Sequence, residues 1–371
     1  MILRKLRLVN FRRYTDSSFE FNDKTNFING DNGSGKTSVL EAIHYLSLTK
    51  SFRTNNDAES INYQNDFFNI FGEFSDRSDH EILFNMNFTK SEGRSFLLNK
   101  TRIKKYTDIV GYAPVVILTP GLQKITEGGP SERRNFINRI VSQADHDYFI
   151  NLLEYKRRLS QRNIVLNQYR NKNNYHYDTY FDAQDEILSE LGQKLFLGRE
   201  SFLNNYRPIF QKIFARINHS GSRVDIGIKY NIKADAENFT NTLKINLKDR
   251  FSRDLQIGRT SCGPHLDEAI IFFNGKEIRQ VGSQGEHKLI LIALKLAEGV
   301  YLETSKNEPI IFLLDDLFAF LDGEHCRKIV DEIGKNNQTL ITSTDIKELK
   351  KYGFRKALDD IKIINLTAGV A

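Results

Sequence analysis

The chain has 371 residues, room for two domains or one elaborated domain at about 150 residues each. Its 53 Lys and Arg against 47 Asp and Glu give a net charge of +6, with 40% apolar and 27% charged residues. That balance excludes a disordered tail, which combines low hydrophobicity with high net charge. Two cysteines, Cys262 and Cys326, exclude a disulfide scaffold and fit a reducing compartment.

No apolar run approaches the roughly 20 residues of a membrane helix. The opening MILRKLRLVNFRRY interleaves charge with apolar residues, unlike a signal peptide. The expectation is a cytoplasmic protein with no membrane contact, whose mild basic excess permits a polyanionic partner.

Residues 2–9 and 19–21 alternate with a period near two, as half-buried strands do. Thr25–Asn29 is a short run ending in a glycine loop, and residues 38–48 have helical spacing through Val39, Leu40, Ile43 and Leu46. Residues 68–74, 81–88 and 94–98 read as antiparallel strands, with Gly93 in a turn. Val115–Leu118 is a short apolar run that stops at Thr119-Pro120-Gly121. Residues 131–170 and 183–216 carry helical periodicity and many charges, and the Asn- and Tyr-rich link 171–182 is expected to be exposed. This stretch is long enough for a domain of its own. Strand candidates at 268–273, 310–314, 339–342 and 361–365 alternate with helix candidates at 284–298 and 324–333, a rhythm that predicts a largely parallel α/β sheet. The expected division is 1–125, 126–254 and 255–371.

The strongest motif is Gly30-Asp31-Asn32-Gly33-Ser34-Gly35-Lys36-Thr37, followed by Ser38. It fits G-x-x-x-x-G-K-[ST] between a predicted strand and a predicted helix. Glycines let the backbone curl so that its N–H groups form an anion-sized nest. Lys36 brings a point charge to the β and γ phosphates, the Thr37 hydroxyl suits Mg²⁺, and the helix start adds its positive end. ATP or GTP is the expected ligand. A second motif, Ile310-Ile311-Phe312-Leu313-Leu314-Asp315-Asp316, reads as a strand buried on both faces that ends in two acids at the ligand edge of the sheet. Asp315 is expected to hold Mg²⁺ through water and Asp316 to polarise the attacking water. With Lys36 they form the expected catalytic set. A third, Ser283-Gln284-Gly285-Glu286, reads as a capping box that opens an apolar helix, and such a start is also an anion site.

The order of these motifs is similar to that of ABC-type ATPase heads of the chromosome-maintenance class. More narrowly, the chain resembles the RecF family of bacterial recombination mediators. The matching segments are Val9-Asn10-Phe11-Arg12-Arg13-Tyr14, the phosphate loop with Leu40-Glu41-Ala42-Ile43, and Lys50-Ser51-Phe52-Arg53-Thr54. Further on come Gly129-Pro130-Ser131-Glu132-Arg133-Arg134-Asn135-Phe136, Leu159-Ser160-Gln161-Arg162-Asn163, Gly263-Pro264-His265, and Leu314-Asp315-Asp316 through Leu321-Asp322.

The resemblance implies an α/β fold: a P-loop ABC-type ATPase head with an antiparallel β subdomain and a helical insertion domain. It implies ATP and Mg²⁺ as cofactors and a homodimer on ATP binding, with Ser283 and Gly285 reaching the γ-phosphate of the partner and Asp322 between subunits. Thr344 falls at the switch-histidine position of transporter heads, and Gln123 at a Q-loop. It further implies DNA binding at gapped or single/double-strand junctions, slow DNA-stimulated hydrolysis, and work with RecR and RecO type mediators in loading recombinase during repair and replication.

Candidate DNA contacts are Arg53, Arg133, Arg134, Lys156, Arg157, Arg158 and Arg162; a solvated helix face with ion pairs such as Glu154–Arg158 competes with that reading. The chain departs from the family pattern at Glu286-His287-Lys288, Gly121-Leu122, Phe320 and Leu266. A carboxylate at Glu286 would repel a γ-phosphate unless it turned back to cap its helix. The alternatives are the energising subunit of a membrane transporter and a relative that binds ATP as an interaction switch without useful hydrolysis. No zinc is expected from the His and Cys spacing.

Overall fold

The computed structural model describes residues 1–170, 176–218, 221–316, 328–329, 332–333, 337–345 and 361–366. In chain order its strands and helices are β1 Ile2–Phe11, β2 Tyr14–Glu20, β3 Thr25–Asn29, α1 Lys36–Leu48, β4 Phe67–Ser75, β5 Glu81–Thr89, β6 Gly93–Leu98, β7 Thr101–Arg102 and β8 Val115–Leu118. There follow α2 Lys124–Glu127, α3 Pro130–Ala144, α4 His146–Tyr169, α5 Thr179–Ile217, β9 Val224–Lys229, α6 Phe239–Asp249 and α7 Phe251–Ile257. Last come β10 Glu268–Phe273, β11 Lys276–Glu277, α8 Ile278–Val281, α9 Gln284–Lys306, β12 Ile311–Leu314, β13 Gln338–Ser343 and β14 Ile361–Asn365.

Two compact units divide the chain. The first holds Met1–Gln123, Lys212–Ser222 and Ser283–Ala371, the second Lys124–Gln211 and Arg223–Gly282. In the first unit a parallel sheet runs β14-β3-β13-β12-β8 and an antiparallel sheet runs β2-β1-β4-β5-β6-β7. Helix α1 packs against strands of both sheets. For that reason the whole span from Ser38 to Leu48 is buried, not only the expected stripe. The approach is close enough to require glycine at one point: a Cβ on Gly72 of β4 would lie 2.5 Å from Leu46 Cδ1. The Ile-Phe-Leu-Leu of β12 is buried throughout between β8 and β13, as a central parallel strand should be.

The second unit is helical around a small antiparallel sheet, β11-β10-β9. Phe196 stacks on Phe239, and Phe202, Tyr206 and Phe210 line one face of α5. Leu166, Phe181 and Phe251 form a further cluster. The expected boundary at 254/255 falls inside this unit, because β10 pairs with β9 and Thr260 is tied to Asn163 of α4.

The structure departs from or refines the expectations at three places. Residues 268–273 form a strand, but it pairs antiparallel in the second unit and is no part of the parallel sheet. The helical stretch 131–170 is divided into two helices, parted where Asp145 caps α4 by accepting from the Tyr148 N–H at 3.0 Å. Strand β9 and helices α6 and α7 lie where no element was expected. Asp322, Phe320 and Cys326, with most of the predicted helix 324–333, lie outside the described residues.

Candidate functional site

Strand β3 ends at Asn29, and the loop Gly30–Gly35 carries the chain to the first turn of α1. Gly33 and Gly35 both take left-handed backbone, at φ 79° and 102°. Gly35 is doubly constrained, because a Cβ there would sit 2.5 Å from the Tyr14 hydroxyl. The loop is pinned from within by Ser34 N–H to Asp31 O at 3.0 Å and Ser38 N–H to Gly35 O at 2.9 Å. Lys36 folds back over it, its Nζ donating to the carbonyls of Gly30 at 2.6 Å and Asp31 at 2.9 Å. Burial pulls its ammonium below the usual lysine range, against the opposing charges of Asp316, Asp315 and Asp31.

Both acids at the end of β12 stand opposite this loop. The Thr37 hydroxyl donates to Asp315 at 3.0 Å, and so does the Thr342 hydroxyl of β13, at 2.9 Å. Burial raises the Asp315 carboxyl despite these bonds. Asp316 follows in left-handed backbone, φ 54°, with its N–H bonded to Thr342 Oγ1. A non-glycine residue held there is the kind of local strain found at functional sites. Lys36, Thr37, Asp315, Asp316, Arg12 and Arg53 all line one cavity of about 650 Å³. Thr37 and Asp315 offer only oxygen donors, the set that suits Mg²⁺ completed by phosphate oxygens and water. Among the described residues no cluster of three or more His, Cys, Asp or Glu could hold a metal by itself.

Three participants escaped sequence reasoning. Arg12 clamps the fully buried Glu41, Nε to Oε2 at 2.9 Å, and Arg53 reaches the same carboxylate at 3.4 Å. Arg13 donates to the Gly33 carbonyl of the loop itself. Thr342 bonds both acidic residues. Arg12 and Arg13 stood in a family-matching segment with no role attached, and Thr342 had no local signal at all.

At the start of α9 the capping box forms as expected. The Glu286 carboxylate accepts from the Ser283 N–H at 2.7 Å, and Ser283 Oγ accepts from the Glu286 N–H at 3.3 Å. The Ser283 bond holds the Glu286 carboxyl below its usual range. So this carboxylate turns back on its own helix. Ser283, Gln284 and Gly285 are exposed, and beyond its chain neighbours and its own helix backbone nothing lies within 4 Å of a Cβ built on Gly285. Gln123 is half-buried in the turn Pro120–Gln123, and Thr344 is exposed.

The candidate DNA contacts scatter. Arg162 is fully buried, bonded to Asp185 at 2.7 Å and Asp254 at 2.9 Å. Arg133 is 2% exposed and donates to the Ala269 carbonyl at 2.6 Å and that of Gly128 at 2.7 Å. Both are corrected: their guanidiniums are engaged inside the second unit, away from any phosphate in solution. Half-buried Arg134 donates to Asp267 O at 2.9 Å. Arg157 and Arg158 share Glu154, whose carboxyl they hold down at about 2. Lys156 is exposed on the same helix. Arg53 lies at the phosphate cavity instead.

The family profile of the RecF/RecN/SMC N-terminal domain matches residues 2–361. The chain belongs to the RecF family. It is 34% identical over 352 residues to the DNA replication and repair protein RecF of Salinibacter ruber, covering 93% of this chain and 85% of that one. The RecF of Clostridium acetobutylicum is 33% identical over 352 residues, with 95% of each chain covered. The structure of a RecF with ATP superposes with a TM-score of 0.87 at 27% identity, covering 93% of this chain and 92% of that one. An Smc head bound to the C-terminal winged-helix domain of ScpA matches at TM-score 0.54 and 16% identity, over 94% and 91% of the two chains, which shows the shared fold. The fold is thus the SMC/RecF ATPase head, and this RecF-family membership sets the transporter alternative aside. Among the described residues no helix is long and apolar enough to cross a membrane.

Proposed function

We propose that this RecF-family protein is an ATP-gated DNA-binding protein of recombinational gap repair, which assists recombinase loading at gapped or single/double-strand junctions together with RecR and RecO type mediators. The observation that carries this reading is the phosphate loop, opposed by Asp315 and Asp316 in a fold that superposes on a RecF with ATP bound. The loop amides and Lys36 take the triphosphate. Thr37 and Asp315 hold Mg²⁺, which neutralises phosphate charge when bound. Asp316 orients the attacking water, and Arg53 serves the phosphates rather than DNA. Hydrolysis is slow, so the nucleotide acts mainly as a switch.

The second half of the site comes from another copy of the chain. Ser283 and Gly285 are free to meet a γ-phosphate across a dimer, because the capping geometry withdraws the Glu286 charge. Asp322, between the subunits, completes this proposal from the family pattern. Sedimentation velocity with and without Mg-ATP tests it. ATP should convert monomer to dimer, and Ser283→Arg should abolish that conversion while nucleotide still binds. A Ser283→Arg protein that dimerises like the wild type would exclude the composite site.

A further inference from the structure

The cations first suspected of meeting DNA are mostly engaged by the protein, but another basic segment is not. Residues 99–106 read Asn-Lys-Thr-Arg-Ile-Lys-Lys-Tyr, with four cations and no acid. They form the β6–β7 turn and the outer edge of the six-stranded antiparallel sheet. Lys100, Arg102, Lys104 and Lys105 are all exposed, and none of them makes an ion pair among the described residues.

The backbone beneath them is fixed by the residues in between. Asn99 and Lys100 are the two central residues of a tight hairpin, at φ 49° and 65°. Asn99 exchanges bonds with Leu83 of β5, its N–H donating at 2.8 Å and its Oδ1 accepting at 2.8 Å. The Ile103 N–H bonds to Phe96 O at 2.9 Å. The Tyr106 hydroxyl donates to Arg94 O at 2.7 Å, with its ring against Phe96. Anchors thus bracket the cations and present a short row of free charge on a rigid edge.

Lysine on an edge strand also guards against strand pairing. One or two charges suffice for that, and here four stand within six residues with no ion-pair partner among the described residues. The geometry points to this hairpin edge as a docking surface for the phosphate backbone of a nucleic acid, read by charge and not by sequence. The inference rests on the DNA-binding reading above and adds the surface.

The test is anisotropy of a labelled gapped duplex with Mg-ATP across a salt series, using the full chain and a Lys100→Ala/Arg102→Ala/Lys104→Ala/Lys105→Ala variant. All four positions are exposed, and an unchanged melting curve and ATP affinity establish the fold. The variant should lose at least about tenfold in affinity near 0.1 M salt, and its log–log salt slope should shrink by about 3 to 4 at roughly 0.9 per duplex phosphate contact. Arg157→Ala/Arg158→Ala should bind like the wild type. A quadruple variant with wild-type affinity and slope would overturn the surface and leave edge protection as its role. If the wild type itself fails to bind this gapped DNA, the functional reading falls first and the surface with it.

Discussion

The phosphate loop and the Arg162 site both set a cation near two carboxylates, and they reach opposite ends. At Arg162 the two acids bond directly, Asp185 at 2.7 Å and Asp254 at 2.9 Å, and the Thr260 hydroxyl takes another donor at 2.9 Å. Burial works to lower this guanidinium, but Asp185 and Asp254 outweigh it and the net shift is upward. At the loop, Lys36 bonds, among the described residues, only the neutral carbonyls of Gly30 and Asp31, and burial pulls its ammonium down. A cation whose counter-charges come with the fold is a structural clamp. One whose direct partners are neutral, in an open cavity, remains available to an anion from outside.

The largest effect should come from breaking the clamp. Arg162→Met leaves two carboxylates buried without their cation and should cost about 3–5 kcal/mol in urea unfolding. Far-UV circular dichroism is the readout, since the chain has no tryptophan. ATP affinity should stay within about twofold, and a matching loss of ATP binding would erase the distinction between the two sites.

Next comes pH. Burial lowers His265 to about 4 from the usual 6.5, and the Tyr155 hydroxyl and Thr260 carbonyl occupy its two ring nitrogens. The native state therefore prefers the neutral ring. The stability from this preference is complete above pH 6.5 and is lost as pH falls towards 4, where the unfolded chain binds the extra proton. Between these limits wild-type stability should drop by an amount on the order of a few kcal/mol relative to His265→Gln. Parallel pH profiles for the two proteins would contradict the assigned charge state.

The smallest effect is at the signature helix. Glu286→Ala removes half the capping box and should cost about 0.5–1 kcal/mol, while Glu286→Gln keeps the box and should cost less. Equal losses in the two variants would mean that Glu286 stabilises through its charge at the helix start and not through the box's hydrogen bond.

The phosphate loop was legible because its chemistry is local: eight consecutive residues carry the turn, the charge and the hydroxyl. Asp315 was legible because a wholly buried strand announces itself as an apolar run. Thr342 was not, since its role exists only once β13 lies beside β12. The misplaced DNA contacts have the same origin. Arg162 meets Asp185 and Asp254 at sequence separations of 23 and 92 residues, and Asp254 sits on α7, which had no recognisable pattern. Arg133 looked like an exposed helix cation until β10 supplied its carbonyl partner. The free charges at 100–105 sit on a two-residue strand and its flank, too short to stand out by periodicity.

Calorimetric titration of Mg-ATP into the wild-type chain and into Lys36→Ala puts the main claim to the most direct trial. One nucleotide per chain should bind the wild type, and removing the Lys36 charge should weaken binding by about 10- to 100-fold, the range of one or two charge-assisted hydrogen bonds, with the circular dichroism spectrum unchanged. Equal affinity in the two proteins would contradict a triphosphate held by this loop.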